Sequence, residues 1–430
     1  MKFSERRCGI QSPEQIKNTS PAAKRHSDRP TTNEYFASVA KRFRLAKYVT
    51  FLLLIVFVLS TIAFNRSEIT VENLQYLMKF ISFTNTETTI SAQKINYSSG
   101  DNLKLELFLG DLCYLSPKGY YLYDSRGNTI MTESLKYNSP TLRVSDKFSL
   151  CYDLGGTSFA VFNTFSQLTS GSTTYAITDA DVSDAGNFAI ASSTREYRTA
   201  VELYNSDFKL ISRILRENWL GDVKLSSDGK EIAVMTFGSE NGDFITTIDL
   251  ITVGHDTVRK SVSFNGLGYS LNYMDGGFSV ISDEGTLYFD SDLGNLNEIK
   301  HSSTLVMSDC SAKYLTSIYN SGIIGNSYRM TITNQTGRVV YEGEFDGKLA
   351  AVAHDETGDY IFVLAGGSVI RVNLVNRKIG SVKVDQGGFD VLPMSENSFL
   401  LAMNNYALVC THEDFNEHYF DSEAQNESVS

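Results

Sequence analysis

The sequence predicts an all-β fold: a β-propeller, with eight blades favoured and seven as the alternative, preceded by one transmembrane helix and a short stalk helix. Two observations lead to this prediction. A motif of an apolar strand, an Asp/Gly turn and a more apolar strand recurs along the chain, as in "DVKLSSDGKEIAVMTF" at residues 222–237. One charge-free apolar segment, Tyr48 to Phe64, precedes all of these repeats.

Charge is distributed unevenly along the 430 residues. The first 47 residues carry a net charge of +7 in a chain of −12, which leaves −19 for residues 48–430. Nucleic-acid binding is driven by Lys and Arg that neutralise phosphates, so an acidic body argues against a nucleic-acid partner. An acidic body also does not favour binding to anionic lipid.

Residues 47–65 are predicted to form the transmembrane helix. As a helix, the charge-free stretch would span roughly 26 Å, close to the thickness of the hydrocarbon core. A retained anchor is favoured over a cleaved signal peptide, because about 47 residues precede the span and "AFNR" is a poor cleavage site. Basic residues concentrate on the N-terminal side, at Lys41, Arg42, Arg44 and Lys47. They predict a cytoplasmic N-terminus and an extracytoplasmic C-terminal domain in the cell membrane.

Further boundaries follow from composition. Residues 1–46 are predicted to form a basic, mostly disordered tail that includes a short helix beginning near Thr32. Residues 66–87, with apolar residues at helical spacing, are predicted to form a stalk helix or linker, and residues 88–418 the propeller. Residues 419–430 are predicted to form a flexible C-terminal tail.

Eight acidic residues mark the repeated turns and serve as structural turn anchors. They are Asp111, Asp146, Asp184, Asp228, Asp275, Asp309, Asp355 and Glu396. Their spacings are 35, 38, 44, 47, 34, 46 and 41 residues, and a period near forty built from short strands is typical of propeller blades. Asp oxygens accept bonds from nearby backbone N–H groups, so turn chemistry is favoured over a functional ring of carboxylates.

The last repeat runs out after "NYALVCTHEDF", short of a fourth strand. The segment "TTISAQKINYS" at residues 88–98 precedes the first repeat and is expected to supply that strand, which would remove an exposed sheet edge. An open sandwich or two stacked β-domains remain the structural alternatives.

Four segments resemble a family of bacterial proteins, mainly from Gram-positive anaerobes, catalogued as a domain of unknown function. They are "ITVENLQYLMKF", "YLYDSRGNTIMTES", "NSPTLRVSDKFSLCYDLGGTSFAVFN" and "DVKLSSDGKEIAVMTF". The resemblance covers most of residues 65–410. It implies a short cytoplasmic tail, one span and a propeller-like extracytoplasmic body, and it brings no catalytic residues.

No residue is predicted to be catalytic, to bind a cofactor or to bind a metal. The cluster "THEDFNEH", which holds His412, Glu413, Asp414, Glu417 and His418, lacks HExxH spacing, and a solvated acidic end is favoured over a metal site. Free cysteines are favoured over a closing disulfide between Cys113 and Cys410. The single tryptophan, Trp219, is expected to be a packing residue rather than a surface contact.

These patterns favour a membrane-tethered extracytoplasmic module for interaction or scaffolding at the cell envelope, without catalysis. The expected partners are the lipid bilayer through residues 47–65 and an envelope protein or cell-wall component. One alternative is a propeller enzyme, a hydrolase, lyase or quinone-dependent dehydrogenase, with its site in the central funnel. The other is a single-pass envelope sensor that signals through its tail.

Overall fold

A computed structural model gives the structure of the chain and describes residues 32–64, 93–98, 102–255, 257–322, 325–412 and 415–420. The chain divides into two units, Met1–Asn85 and Thr86–Ser430. The predicted stalk helix at 66–87 and the predicted tail as far as residue 31 lie outside the described residues.

The first unit contains helix α1, Thr32–Phe64. No Gly or Pro interrupts these 33 residues, which removes the two strongest helix breakers. The helix begins at the residue that the sequence indicated and includes residues 47–64 of the predicted span. In the part of the chain that the structure describes, no helix is both long and apolar enough to cross a membrane.

The second unit is an all-β propeller of eight antiparallel sheets, which confirms the predicted fold class and the favoured blade number. Blade 1 comprises β2 (Lys104–Phe108), β3 (Asp111–Ser116), β4 (Gly119–Tyr123) and β5 (Thr129–Ser134). Blade 2 comprises β6 (Pro140–Val144), β7 (Ser149–Asp153), β8 (Ser158–Phe162) and β9 (Gln167–Ser172). Blade 3 comprises β10 (Ile177–Val182), β11 (Phe188–Ser192), β12 (Thr199–Tyr204) and β13 (Leu210–Arg216). Blade 4 comprises β14 (Trp219–Leu225), β15 (Glu231–Glu240), β16 (Asp243–Thr252) and β17 (Val258–Asn265).

The other four blades follow the same order. Blade 5 comprises β18 (Gly268–Met274), β19 (Gly277–Ser282), β20 (Gly285–Asp290) and β21 (Asn295–Lys300). Blade 6 comprises β22 (Leu305–Cys310), β23 (Tyr314–Asn320), β24 (Ser327–Asn334) and β25 (Val339–Asp346). Blade 7 comprises β26 (Leu349–His354), β27 (Tyr360–Ala365), β28 (Ser368–Asn373), β29 (Lys378–Lys383) and a fifth, short strand, β33 (His418–Tyr419). Blade 8 comprises β30 (Asp390–Ser395), β31 (Ser398–Ala402), β32 (Tyr406–Thr411) and β1 (Gln93–Asn96).

The ring is closed by β1, whose residues come from the start of the domain. It pairs antiparallel with β32, from Gln93 opposite Val409 to Asn96 opposite Tyr406. Ile95 is fully buried in this strand and packs in the cluster between blades 8 and 1. The predicted closure by the segment at 88–98 is therefore confirmed.

Hairpin turns set the register within each blade. The longest hairpin joins β15 to β16, and its last pair is Glu240 opposite Asp243. The two residues between them, Asn241 and Gly242, have φ of 53° and 99°. Both angles are positive, as a two-residue type I′ turn requires, and Asn-Gly is the residue pair that adopts them most readily.

The core lies between blades rather than in one central mass. Each hydrophobic cluster draws side chains from two neighbouring sheets, and the cluster of blades 1 and 2 contains Cys113, Tyr120, Cys151 and Phe162. The rings of Tyr120 and Phe162 stack with centroids 4.2 Å apart. Burying a side chain of this size stabilises the fold by about 1.5–3 kcal/mol, so each blade depends on its neighbours.

The four cysteines that the structure describes, Cys113, Cys151, Cys310 and Cys410, are free thiols. Burial raises the pKa of each, with that of Cys410 reaching about 11. They therefore remain protonated at neutral pH and act as small apolar side chains.

Candidate functional site

The first strand of each blade lies on the inside of the ring. First strands of neighbouring blades contact one another, among them β10 and β14, β14 and β18, and β26 and β30. Fourth strands such as β17 and β21 are mostly exposed and lie on the outside. All first strands run in the same direction, so the ring has two distinct ends. We call the end where they begin the starting face and the end where they turn into second strands the turn face.

The eight acidic residues singled out in the sequence lie near the turn face. Six occupy the turn between the first and second strands of their blade: Asp146, Asp184, Asp228, Asp275, Asp355 and Glu396. Asp111 is the first residue of β3. Asp309 differs, because it lies inside strand β22 and the turn follows at residues 311–313.

Local hydrogen bonds explain two of these turns. The Asp228 carboxylate accepts the backbone N–H of Lys230 at 3.1 Å and the Ser226 hydroxyl at 2.8 Å. The Asp355 carboxylate accepts the N–H of Tyr360 at 2.9 Å and the Thr357 hydroxyl at 2.6 Å. Such bonds hold a tight turn, which is the structural role that turn chemistry predicts for these carboxylates.

A second set of carboxylates lies on the first strands and joins one blade to the next. The Asp181 carboxylate accepts the backbone N–H of Leu225 at 2.7 Å, and that of Asp222 accepts the N–H of Leu271 at 2.8 Å. The sequence reading missed both residues. Hydrogen bonds to a charged acceptor are about twice as strong as neutral ones, so these contacts fasten blade 3 to blade 4 and blade 4 to blade 5.

Asp309 has the same role between blades 6 and 7. Its Oδ2 accepts the backbone N–H of His354 at 2.8 Å and lies 2.8 Å from Nδ1 of the same imidazole. The other ring nitrogen of His354 lies 3.1 Å from the hydroxyl of Thr316, which is fully buried. The side chains of His354 and Thr316 are buried, whereas the Asp309 side chain is 37% exposed, so this contact between blades is open to solvent on the Asp309 side.

Three carboxyls on first strands hold their proton more tightly than usual. Burial, followed by the nearby charges of Asp390 and Asp309, raises the pKa of Glu106 to about 7. Glu106 itself is exposed to solvent, so the neighbouring blades limit the hydration of its carboxylate without covering it. Burial likewise raises the pKa of Asp222 to about 7 and that of Asp390 to about 6.

No group of three or more His, Cys, Asp or Glu side chains among the described residues is placed to hold a metal ion. Of the "THEDFNEH" cluster, Glu413 and Asp414 lie outside the described residues. Glu417 lies mostly buried and pairs with Arg371 and with Lys378, the latter at 3.4 Å. The solvated acidic end expected from the sequence is thus wrong for Glu417, which a buried arginine holds in place.

A pocket of about 560 Å³ opens on the starting face above blades 2 to 5. We call it the entrance pocket. Its lining comes from the beginnings of first strands and from the loops that follow second strands. The lining residues are Thr141, Arg143, Tyr152, Leu154, Thr178, Asp179, Ser193, Arg198, Trp219, Leu220, Gly221, Asp222, Lys224, Tyr269, Ser270 and Asn272.

Aromatic side chains form part of the rim of the entrance pocket. Trp219 is 49% exposed and Tyr269 is 47% exposed. The guanidinium carbon of Arg198 lies 5.0 Å from the centre of the Trp219 ring, which is cation–π distance. The expectation that Trp219 is a packing residue is therefore wrong, because half of its surface faces solvent.

Ion pairs and hydrogen bonds occupy the carboxylates of the entrance pocket. Nη2 of Arg143 and the Tyr152 hydroxyl each lie 3.1 Å from Oδ1 of Asp179. Asp222 accepts two backbone N–H groups and faces Nζ of Lys224 at 3.9 Å. In contrast, Arg198 forms no ion pair with any carboxylate of the described residues.

Comparison with known proteins places most of the chain in one family. Residues 81–409 match the family described as "Family of unknown function (DUF5711)". No curated protein matches the chain.

Solved structures share the fold at low sequence identity. A eukaryotic initiation factor is 13% identical with a TM-score of 0.51, covering 72% of this chain and 84% of that chain. The WD40 domain of SCAP from fission yeast is 9% identical with a TM-score of 0.50, covering 77% and 97%. BamB from Moraxella catarrhalis is 12% identical with a TM-score of 0.49, covering 75% and 100%. At such identities the first two show the fold alone.

Proposed function

Because the chain belongs to this family of unknown function, we propose from its own residues that it is a membrane-tethered extracytoplasmic propeller. It binds an envelope protein or a cell-wall component through the entrance pocket, as an interaction or scaffolding module without catalysis. Ring folds serve many unrelated functions, so the proposal rests on the site rather than on the fold.

The observation that carries the proposal is the exposure of Trp219, Tyr269 and Arg198 together at one mouth of the ring. Trp, Tyr and Arg are the residue types most enriched where binding energy concentrates in interfaces. A propeller gains no stability from leaving two large aromatic rings half in water. Their exposure is accounted for if a partner covers them.

The tether is proposed from the sequence and from α1. Tyr48 to Phe64 carry no charge, and basic residues cluster immediately before them. On the described part of the helix, Leu52, Leu53 and Phe57 expose most of their surface. Lipid would cover such side chains, and the basic flank would hold the N-terminus in the cytoplasm.

Site-specific photo-crosslinking in the native cell envelope tests the binding role. A photo-reactive residue replaces Tyr269 in the full chain, and a matched control replaces Leu296, which is exposed on the outer strand β21. We expect one dominant adduct from position 269, lost when Trp219→Ala is added, and no such adduct from position 296. Equal adducts at both positions would contradict the proposal.

Placement of the C-terminus outside the membrane has a separate test. A phosphatase that is active only outside the cytoplasm is fused after residue 430. We expect activity in the full chain, and loss of membrane association when residues 47–65 are deleted. A cytoplasmic C-terminus would overturn the proposed localisation.

A second candidate, a propeller enzyme with its site in the central funnel, is favoured by the raised pKa of Glu106, Asp222 and Asp390. General acids and bases are commonly tuned in this direction. Bonds between blades already account for Asp222, whereas no hydrogen bond or ion pair to a described residue accounts for Glu106. The test is whether the protein converts fragments of the cell envelope into products. If it does, and if Glu106→Gln abolishes that turnover, the enzymatic function replaces the proposed binding function.

A further inference from the structure

The entrance pocket is lined mainly by polar groups. Its volume of about 560 Å³ falls in the range of small-ligand sites, roughly 300–1,000 Å³. Most small-molecule pockets are predominantly apolar, whereas twelve of the sixteen lining residues here are charged, hydroxylic or amide-bearing. A compact ligand that is rich in hydrogen-bonding groups therefore fits this pocket better than an apolar one.

The polar groups of the pocket are not all used by the protein. Thr178 and Ser193 line it, and their hydroxyls make no hydrogen bond to any described residue. Asn272 donates only a long bond of 3.4 Å, to the hydroxyl of Ser270. Donors and acceptors thus remain for a ligand, on blade 3 at Thr178 and Ser193 and on blade 5 at Asn272.

The aromatic side chains at the rim of the pocket impose a second requirement on the ligand. Arg198 lies over the Trp219 ring, while the rest of the indole and the Tyr269 ring stay half exposed. A ring face with its negative quadrupole attracts flat, polarised C–H surfaces as well as cations. The ligand therefore needs a C–H face next to several hydroxyl groups, which is the surface of a pyranose ring.

The charged side chains of the entrance pocket determine which class of sugar it can bind. Asp179 is neutralised by Arg143, and Asp222 is held by two N–H groups beside Lys224. Arg198 is the pocket cation that no described carboxylate pairs with. The pocket is thus a local exception in a chain of net charge −12, and its cation is available for an acidic group.

We propose that the entrance pocket binds an acidic saccharide, with a sugar ring on Trp219 and Tyr269 and its carboxylate on Arg198. This inference rests on the proposed function and names the ligand class of the same site. An acidic peptide would also satisfy Arg198, but an Asp or Glu side chain offers no ring of C–H bonds to the two aromatic side chains of the rim.

Calorimetric titration of the full chain in detergent micelles tests the ligand class. The probes are digalacturonic acid, the neutral disaccharide galactobiose, and the dipeptide Glu-Glu. We expect digalacturonic acid to bind about tenfold more tightly than galactobiose, the gain of one charge-assisted contact. The Arg198→Gln variant should remove that difference, and Trp219→Ala should weaken both sugars.

Arg195→Gln is the matched control, because Arg195 is exposed on the same loop and does not line the pocket. It should bind like the natural chain, and unchanged circular dichroism should verify that all variants are folded. Equal binding of the two sugars, tighter binding of Glu-Glu, or no binding of either sugar would overturn the proposal.

Failure of this inference is distinguishable from failure of the proposed function. If position 269 still gives an adduct that depends on Trp219 while both sugars fail to bind, the site is a binding site for another ligand class. If the adduct is also absent, both proposals fall.

Discussion

Single aspartates on the first strands hold neighbouring blades together. Asp181 is the clearest example, because its carboxylate accepts the Leu225 N–H of the next blade at 2.7 Å. Removing it leaves a buried donor without its acceptor, which usually costs about 1–3 kcal/mol. Such residues cannot be recognised from the local sequence, because the two partners lie 44 positions apart.

Substitution of Asp181 by Ala should therefore lower the free energy of unfolding by about 1–3 kcal/mol. Urea denaturation followed by circular dichroism measures this change. Asp207→Ala is the matched control, because Asp207 is exposed in the hairpin of the same blade, and it should change stability by less than about 0.5 kcal/mol. Equal effects of the two substitutions would show that the bond between blades is unimportant.

A buried carboxyl should also give the protein a pH dependence. The folded pKa of Asp222 is about 7, above its ordinary value near 3.8, mainly because of burial. The folded state therefore binds the proton more tightly than the unfolded state between these values, and stability falls as pH rises from about 4 to 7. Glu106 and Asp390 act in the same direction.

Asp222→Asn should reduce, without abolishing, the decline of Tm between pH 4 and pH 7, as measured by scanning calorimetry. Asp228→Asn provides the comparison. A hydrogen bond from Lys230 and other local contacts lower the pKa of Asp228 to about 2. Its contribution is lost only as pH falls below about 4, so its slope between pH 4 and 7 should match that of the natural chain. An unchanged slope in Asp222→Asn would contradict the assignment.

Among the structural elements, the sequence predicted the turns that are determined by contacts between residues close together in the chain. The turns at Asp228 and Asp355 were found because Asp and Gly stabilise tight turns by contacts within a few residues. Asp309 was displaced from its turn because its carboxylate binds His354 of the next blade instead. The entrance pocket was not predicted either, because its rim joins residues that are far apart in the sequence and belong to three different blades.

Strand β1 is the element on which ring closure depends. A chain that begins at residue 99 would lack it and would leave the edge of β32 unpaired. Exposed strand edges pair with other chains, so we expect dimers or aggregates and a lower Tm. Size-exclusion chromatography with light scattering measures the change.

A chain that begins at residue 88 retains β1 and is the control for that experiment. It should remain monomeric under the conditions in which the shorter chain associates. A shorter chain that stays monomeric with an unchanged Tm would mean that β32 tolerates an open edge.

On the scale of the whole molecule, the ring should unfold as one unit because its core is shared between blades. Phe415 is fully buried against Phe399 and Phe362, which belong to blades 8 and 7. Trp219, the only tryptophan, lies across the ring in blade 4. Its fluorescence therefore reports on a region that Phe415 does not touch.

Phe415→Ala should lower stability by about 3–5 kcal/mol and shift the denaturation midpoint seen by Trp219 fluorescence together with that seen by circular dichroism. Tyr419→Ala, at a side chain that is 74% exposed, should shift neither. A fluorescence midpoint that stays in place while circular dichroism moves would show that blades unfold independently.

The closing strand has a mechanical consequence. Any tension that arrives from residues before Gln93 reaches β1 before the other described strands of the ring. Among these strands, β1 pairs with β32 alone, through four residues. The β1–β32 pairing that closes the ring is thus also the first to bear a mechanical load. A pulling force applied at the N-terminal end would separate β1 from β32 while the other seven sheets stay intact.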